Sequence, residues 1–153
     1  MVRLSNLALA VHSVDVVVAV VVAVLFIVAT SAFKEPQRRN FNAVMIAGAG
    51  AAYLNGGLGV WEFPFTAVVT YCAYKGLNSY RFIGLGWILH TGWDVMHYLY
   101  GNPIVPLVAT SSLGCAICDP FIAAWCLAGA PSVYGLAAKS KVSATGGELG
   151  SGR

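Results

Sequence analysis

Val16-Val-Val-Ala-Val-Val-Val-Ala-Val-Leu-Phe-Ile-Val28 is an unbroken apolar run. In water its β-branched residues would favour a strand, but a bilayer leaves an open sheet edge without hydrogen-bond partners, and only helices or closed barrels satisfy their backbone there. The run has none of the alternation of a barrel strand and is read as a helix from about Leu7 to Phe33, long enough to cross a hydrocarbon core of roughly 30 Å. The rest of the chain has the same character. Of 153 residues 58 % are hydrophobic and 10 % charged, with a mean hydropathy of +0.74, whereas a soluble domain carries charge on about a quarter of its residues. This argues against a water-soluble enzyme and makes lipid the expected solvent. The net charge of +3 is not gathered into a basic, aromatic-rich stretch, so no nucleic-acid partner is expected.

Outward from that run, further apolar segments are expected at about 42–61, 64–77, 81–100 and 105–127. The second is rich in Gly and Ala (Gly48-Ala-Gly-Ala-Ala52, Gly56-Gly-Leu-Gly59), which suits close helix approach and offers a surface for a homo-oligomer. The third is short for a full crossing. The fifth contains Pro120, where a kink is expected. The fold class is therefore all-α, a polytopic helical membrane protein of about five transmembrane helices in one domain, 1–136, followed by a Gly/Ser-rich mobile tail or linker, 137–153. Arg3 and Thr30-Ser-Ala32 imitate an export signal, but the apolar segment is longer than a signal core and is read as a membrane helix. Lys34, Arg38, Arg39, Lys75, Arg81, Lys139 and Lys141 fall on one side, in loops or after the last helix, against Arg3 on the other. The positive-inside rule then places the N-terminus outside and the C-terminus in the cytoplasm of a multi-pass cell-membrane protein. A four-span topology with a re-entrant third segment would break that alternation.

An ionisable side chain at membrane depth is expensive and marks a candidate functional site. His90, Asp94 and His97 are spaced i, i+4, i+7 and share one helix face. Imidazole and carboxylate are ligands for iron, zinc or copper, which makes these three candidate metal ligands. His12 and Asp15 share a face of the first helix, and with Glu62 and Asp119 they are candidates for a general base, a general acid or a group that orients a ligand. At 1.5 Å per residue Asp15 and Asp94 lie about 10 Å from the outer ends, with His90 and Cys118 nearer the middle. Asn55, Glu62, Ser111 and Ser112 join them in the outward half, while the inner half reads as almost wholly apolar apart from Tyr71 and Tyr74. One polar cavity open to the outside is the expectation. Hydrogen bonds that merely glue helices together are the structural alternative.

Cys115-Ala-Ile-Cys118 offers two thiols either as further metal ligands or as a dithiol redox pair. The tetrapeptide is similar to the redox pair of vitamin K epoxide reductases, but nothing else here corresponds to their loop cysteines. Cys72 and Cys126 read as small apolar packing residues.

Tyr53-Leu-Asn-Gly-Gly57, His90-Thr-Gly-Trp-Asp-Val-Met-His97, Tyr100-Gly-Asn-Pro103 and Ser111-Ser-Leu-Gly-Cys-Ala-Ile-Cys-Asp119 together resemble a family of small bacterial integral membrane proteins known as a domain of unknown function, over about residues 41–127. The resemblance implies a membrane fold and no particular reaction. The functional expectation is a metal-dependent membrane enzyme acting on a lipophilic or small apolar molecule, with iron, copper or zinc as the cofactor. The alternatives are a transporter or channel for protons, metal ions or small solutes, a metal-free acid-catalysed isomerase or cyclase, a Cys-x-x-Cys redox protein, and a structural subunit of a larger complex.

Overall fold

A computed structural model describes residues 12–55, 57–105, 108 and 110–138. Among them the chain is helical and contains no strand: α1 Ser13–Ser31, α2 Gln37–Ala51, α3 Glu62–Gly76, α4 Tyr80–Leu99 and α5 Ser111–Leu127. Two 3-10 turns, Ala52–Asn55 and Gly59–Trp61, lead from α2 to α3, and a short helical stretch, 133–138, follows α5. Arg3, Lys139, Lys141 and the expected tail from 139 onward lie outside the described residues, as does the expected start of the first helix at Leu7.

The helix ends follow local chemistry. His12 is extended ahead of α1, and its backbone N–H donates to the Asp15 carboxylate at 3.2 Å, a capping arrangement at the positive end of the helix. α3 tolerates Pro64 because the N–H groups of a first turn have no intrahelical acceptor. α4 and α5 end alike. Gly101 (φ 72°) and Gly129 (φ 86°) take the left-handed conformation. The Gly101 and Asn102 N–H groups bond Tyr98 O and His97 O at 3.1 and 2.9 Å, and those of Gly129 and Ala130 bond Cys126 O and Trp125 O, both at 2.9 Å. These are two Schellman closures, the first of which fixes the turn beside His97.

The boundaries differ from expectation where turns replace helix. The second helix starts at Gln37 and stops at Ala51, so 3-10 turns, Ala52–Asn55 and Gly59–Trp61, stand where helix was expected, and the fifth starts at Ser111 and not near Val105. Arg38, expected in a loop, lies buried in the first turn of α2. It pairs with Glu35 at 2.9 Å, and Tyr80 donates to the same carboxylate oxygen at 2.7 Å.

α4 is the central element because its glycines let three neighbours approach. A Cβ at Gly84 would lie 2.7 Å from Leu127 Cγ and 3.1 Å from the Ala123 carbonyl of α5, and one at Gly86 would lie 2.9 Å from Ile46 of α2 and 3.4 Å from Cys72 of α3. α1 packs at the edge through Ala19 and Ala23, leaving Val17, Val18, Val21, Val22 and Leu25 exposed. It is the described helix that is long and apolar enough to cross a membrane, whereas α5 is apolar but shorter.

The two kinds of α4 glycine separate in a stability measurement. Gly84→Ala is expected to cost about 1–3 kcal/mol by overpacking against backbone, while Gly92→Ala, with nothing within 4 Å of its Cβ position, should gain up to about 1 kcal/mol from helix propensity. Thermal unfolding of the two variants in detergent checks the order, and equal effects would contradict the packing.

Candidate metal centre

The stripe His90, Asp94, His97 is buried on the inward face of α4, as the spacing predicts. Its members turn to different partners. His90 Nδ1 lies 2.7 Å from Asp119 Oδ2 of α5 and 3.1 Å from Asp94 Oδ2 one turn on. Tyr53, from the turn after α2, donates its hydroxyl to the other Asp94 oxygen. Ligand atoms of His90, Asp94 and Asp119 lie within 4.8 Å of one another, all three residues are buried, and the group can hold a metal ion. Metal bonds of about 2.0–2.2 Å separate neighbouring ligand atoms by roughly 3.0–3.5 Å, so the Nδ1–Oδ2 separations of 2.7 and 3.1 Å are hydrogen-bond distances that a bound ion would widen.

The donor set also fits by charge. One Nδ1 proton faces two carboxylates, so an ionised pair would leave negative charge in a site shielded from water, where it is strongly disfavoured. Either an additional shared proton or a cation removes it. His90 Nε2 is buried without a partner.

His97 belongs to a second centre one face-turn further along. Its Nε2 stands 2.9 Å from Glu62 Oε1, and both side chains are only 1 % exposed. The first turn of α3 puts Glu62 beneath the backbone N–H of Leu58, which donates to Oε1 at 2.7 Å, while the Trp93 indole donates to Oε2 at 2.8 Å. Asn102 ties the adjacent turns together by donating to Gly57 O at 2.8 Å, and its own carbonyl accepts from Ser112 at 2.7 Å. The Tyr53 ring lies between the two centres, its centroid 4.9 Å from that of His90 and 4.6 Å from that of His97.

Of the remaining candidates, His12 and Asp15 belong to the start of α1, whereas Cys115 and Cys118 lie near enough to Asp94 and Asp119 to interact with them electrostatically. His12 is exposed at the start of α1, and Asp15 caps that helix. Asp15 also lines a cleft of about 310 Å³ between α1 and α5, with Ala19, Val22, Gly114, Cys115 and Cys118. Cys115 is half-buried, Cys118 is buried, and both are free thiols, as are the buried Cys72 and Cys126. The structure thus joins Asp119 to His90 and Asp94, and joins His97 to Glu62. Tyr53 as a donor to Asp94 was not visible in the sequence, where it was one tyrosine among seven. Arg38, Asn42, Thr30 and Ser31 are also buried polar side chains, at the end of the helices away from His97. Asn55 has no described side chain.

These features define an all-helical protein with a carboxylate–imidazole centre enclosed by its own helices. Residues 14–132 match DUF6010, described as a family of unknown function, and the chain belongs to that family. Comparison with curated proteins and with solved structures gives no match.

A double-mutant cycle tests the second centre. Removing either Glu62 or His97 strands a buried partner, an effect of about 3–5 kcal/mol for a buried ion pair. Glu62→Ala combined with His97→Ala should therefore cost clearly less than the two single changes added together, by about 0.5–3 kcal/mol. Strict additivity in reversible unfolding would show that the two side chains do not interact.

Proposed function

We propose that this chain is a multi-pass membrane protein that binds one divalent transition-metal ion through His90, Asp94 and Asp119 and acts as a metal-dependent enzyme on a lipophilic molecule. The observation that carries the reading is the convergence of those three buried ligands from two helices. Three protein ligands leave coordination positions open, and iron, zinc or copper suits a mixed imidazole and carboxylate set. A bound ion supplies Lewis acidity and an activated water. Tyr53 holds the Asp94 carboxylate in place, and Glu62 with His97 forms the nearest second acid–base pair.

The polarity of the molecule supports a lipid setting. Asp94, Glu62 and His97 are inside at 0–1 % exposure, whereas Val21, Val44, Phe63, Val68, Ile88 and Phe121, drawn from all five helices, stand on the surface. Apolar surface of that extent is what a membrane covers. With the N-terminus outside, α1 enters from the outer face, and Glu62 and His97 lie toward that face. The cleft between α1 and α5 is lined by Cys115 and Cys118, which precede Asp119 in α5, and it is the side from which an apolar molecule would approach the enclosed site.

The test is elemental analysis of the detergent-purified protein after growth with supplemented metals. One ion per chain is expected, lost in His90→Ala, Asp94→Asn and Asp119→Asn and retained in His97→Ala. Absence of metal from the wild type overturns the reading. Loss in His97→Ala with retention in Asp119→Asn would move the site.

A second reading, proton conduction, draws on a different observation. Tyr80 meets Glu35, Ile83 and Ala43 both flank Gly76, Gly86 meets Ile46, and Asp94 meets Tyr53, so α2 and α4 run side by side in the same direction. Along them His97, His90, Trp87, Asn42 and Arg38 follow one another, each with a buried nitrogen or oxygen that has no hydrogen-bond partner. From His97 to Tyr80 the column is about 25 Å long at 1.5 Å per residue, and orphaned buried polar atoms are where internal water resides. Dye-loaded proteoliposomes should then show a potential-driven proton flux that Asn42→Leu largely abolishes. A flux equal to that of empty vesicles excludes conduction.

A further inference from the structure

A separate cavity of about 540 Å³ lies at the C-terminal end of α4, lined by Gly57, Leu58, Trp61, Trp93, Met96 and Tyr100. Three of these side chains are aromatic, one is a thioether, and none is charged. Trp93 is the fixed wall. Its ring stacks on Phe65 with centroids 4.4 Å apart and planes 4° from parallel, and its indole N–H donates to Glu62 Oε2 at 2.8 Å. Phe65 covers one side of the indole and leaves the remainder to the cavity. A carboxylate that accepts from the indole N–H pushes electron density onto the ring, which deepens the negative potential of its face. Trp61 and Tyr100 form the rim, at 68 % and 63 % exposure. No Lys or Arg stands among the lining residues to repel a cation.

The lining also discriminates among cations. A primary ammonium brings three N–H donors, for which these side chains offer the Tyr100 hydroxyl alone, so such a group keeps its donors in water at the rim and gains less from the aromatic faces. A trimethylammonium group has no N–H. Its charge is spread over methyl groups that pack against aromatic faces and a methionine, and aromatic cages recognise it for that reason.

We propose that this cavity binds a quaternary ammonium group, held by Trp61, Trp93 and Tyr100, with the Glu62 carboxylate behind Trp93 reinforcing the potential. The site is distinct from the metal cluster and stands whether or not a metal is bound. The chemistry is shared by free choline-like compounds and by a phosphocholine lipid headgroup, and the experiment separates these sources.

The protein, purified in a maltoside detergent, is titrated by calorimetry with choline and with its neutral isostere 3,3-dimethylbutan-1-ol. Choline is expected to bind saturably, to be displaced by tetramethylammonium, and to exceed the isostere by about threefold or more, the worth of a cation–π contact at a partly exposed site. Trp93→Leu and Trp61→Leu should erase that preference, while Trp93→Phe, which keeps a ring, should retain part of it. Glu62→Gln should reduce choline affinity without changing that of the isostere. In nanodiscs, loss of choline binding in phosphatidylcholine but not in phosphatidylglycerol assigns the site to the headgroup, and binding in both assigns it to the free compound. Equal affinity for choline and the isostere, or no saturable binding of choline or tetramethylammonium to protein with a native circular dichroism spectrum, overturns the proposal.

Discussion

The Asp94 carboxylate has no solvent contact, and the architecture around it is a set of answers to that fact. Taking an ionised carboxylate out of water costs several kcal/mol even after relaxation, unless donors or a counter-charge replace the lost water. Here Tyr53 donates to one oxygen and His90 faces the other, while the Asp119 carboxylate competes for the same His90 nitrogen. None of the three groups is satisfied without the others. The turn after α2, the middle of α4 and the middle of α5 are therefore fixed relative to one another by one polar centre, and apolar packing fills in around it.

That packing is arranged to permit the approach. Gly84 and Gly86 bring α5, α2 and α3 close to α4 just below the cluster, and Ala19 and Ala23 bring α1 against the bundle. In the bilayer setting proposed for this chain, apolar side chains would gain little by leaving their solvent, and close backbone approach and interhelical hydrogen bonds would carry the association. Small residues inside and branched aliphatic residues outside are the distribution those terms favour. The polar pairs then fix the register of neighbouring helices, because a slip of one residue would strand a buried charge.

Much of this is legible in the sequence, and the limits are physical. Five helical segments can be placed from apolar length alone, and the His90, Asp94, His97 stripe follows from helical periodicity. Periodicity places residues on a face but does not say which face of which helix lies opposite. Three carboxylates compete for two imidazoles in the interior, and pattern alone gives His97 to the first cluster and leaves Asp119 in a supporting role. The three-dimensional arrangement assigns Asp119 to His90 and Glu62 to His97 because α5 crosses α4 near its middle while α3 begins beside its end. Arg38 escaped for a related reason. A basic residue next to Lys34 and Arg39 reads as loop, yet Glu35 and Tyr80 supply enough partners for it to enter the first turn of α2 buried.

The two centres on α4 are also unlike in how they are satisfied, and that difference separates their roles. Glu62 accepts from the Leu58 amide and the Trp93 indole and faces His97, so one carboxylate meets two fixed neutral donors and one imidazole. Its charge is accommodated by a built-in set of partners, as in a structural buried pair. The His90 centre sets two carboxylates against one imidazole, with a phenol as the remaining donor. With both carboxylates ionised and the imidazole neutral it is two positive charges short of balance, which a divalent cation would supply. Both centres keep a buried imidazole nitrogen without a hydrogen-bond partner, and they differ in that the deeper one sets two carboxylates against a single imidazole. The chemistry of this protein is therefore to be sought at the deeper one.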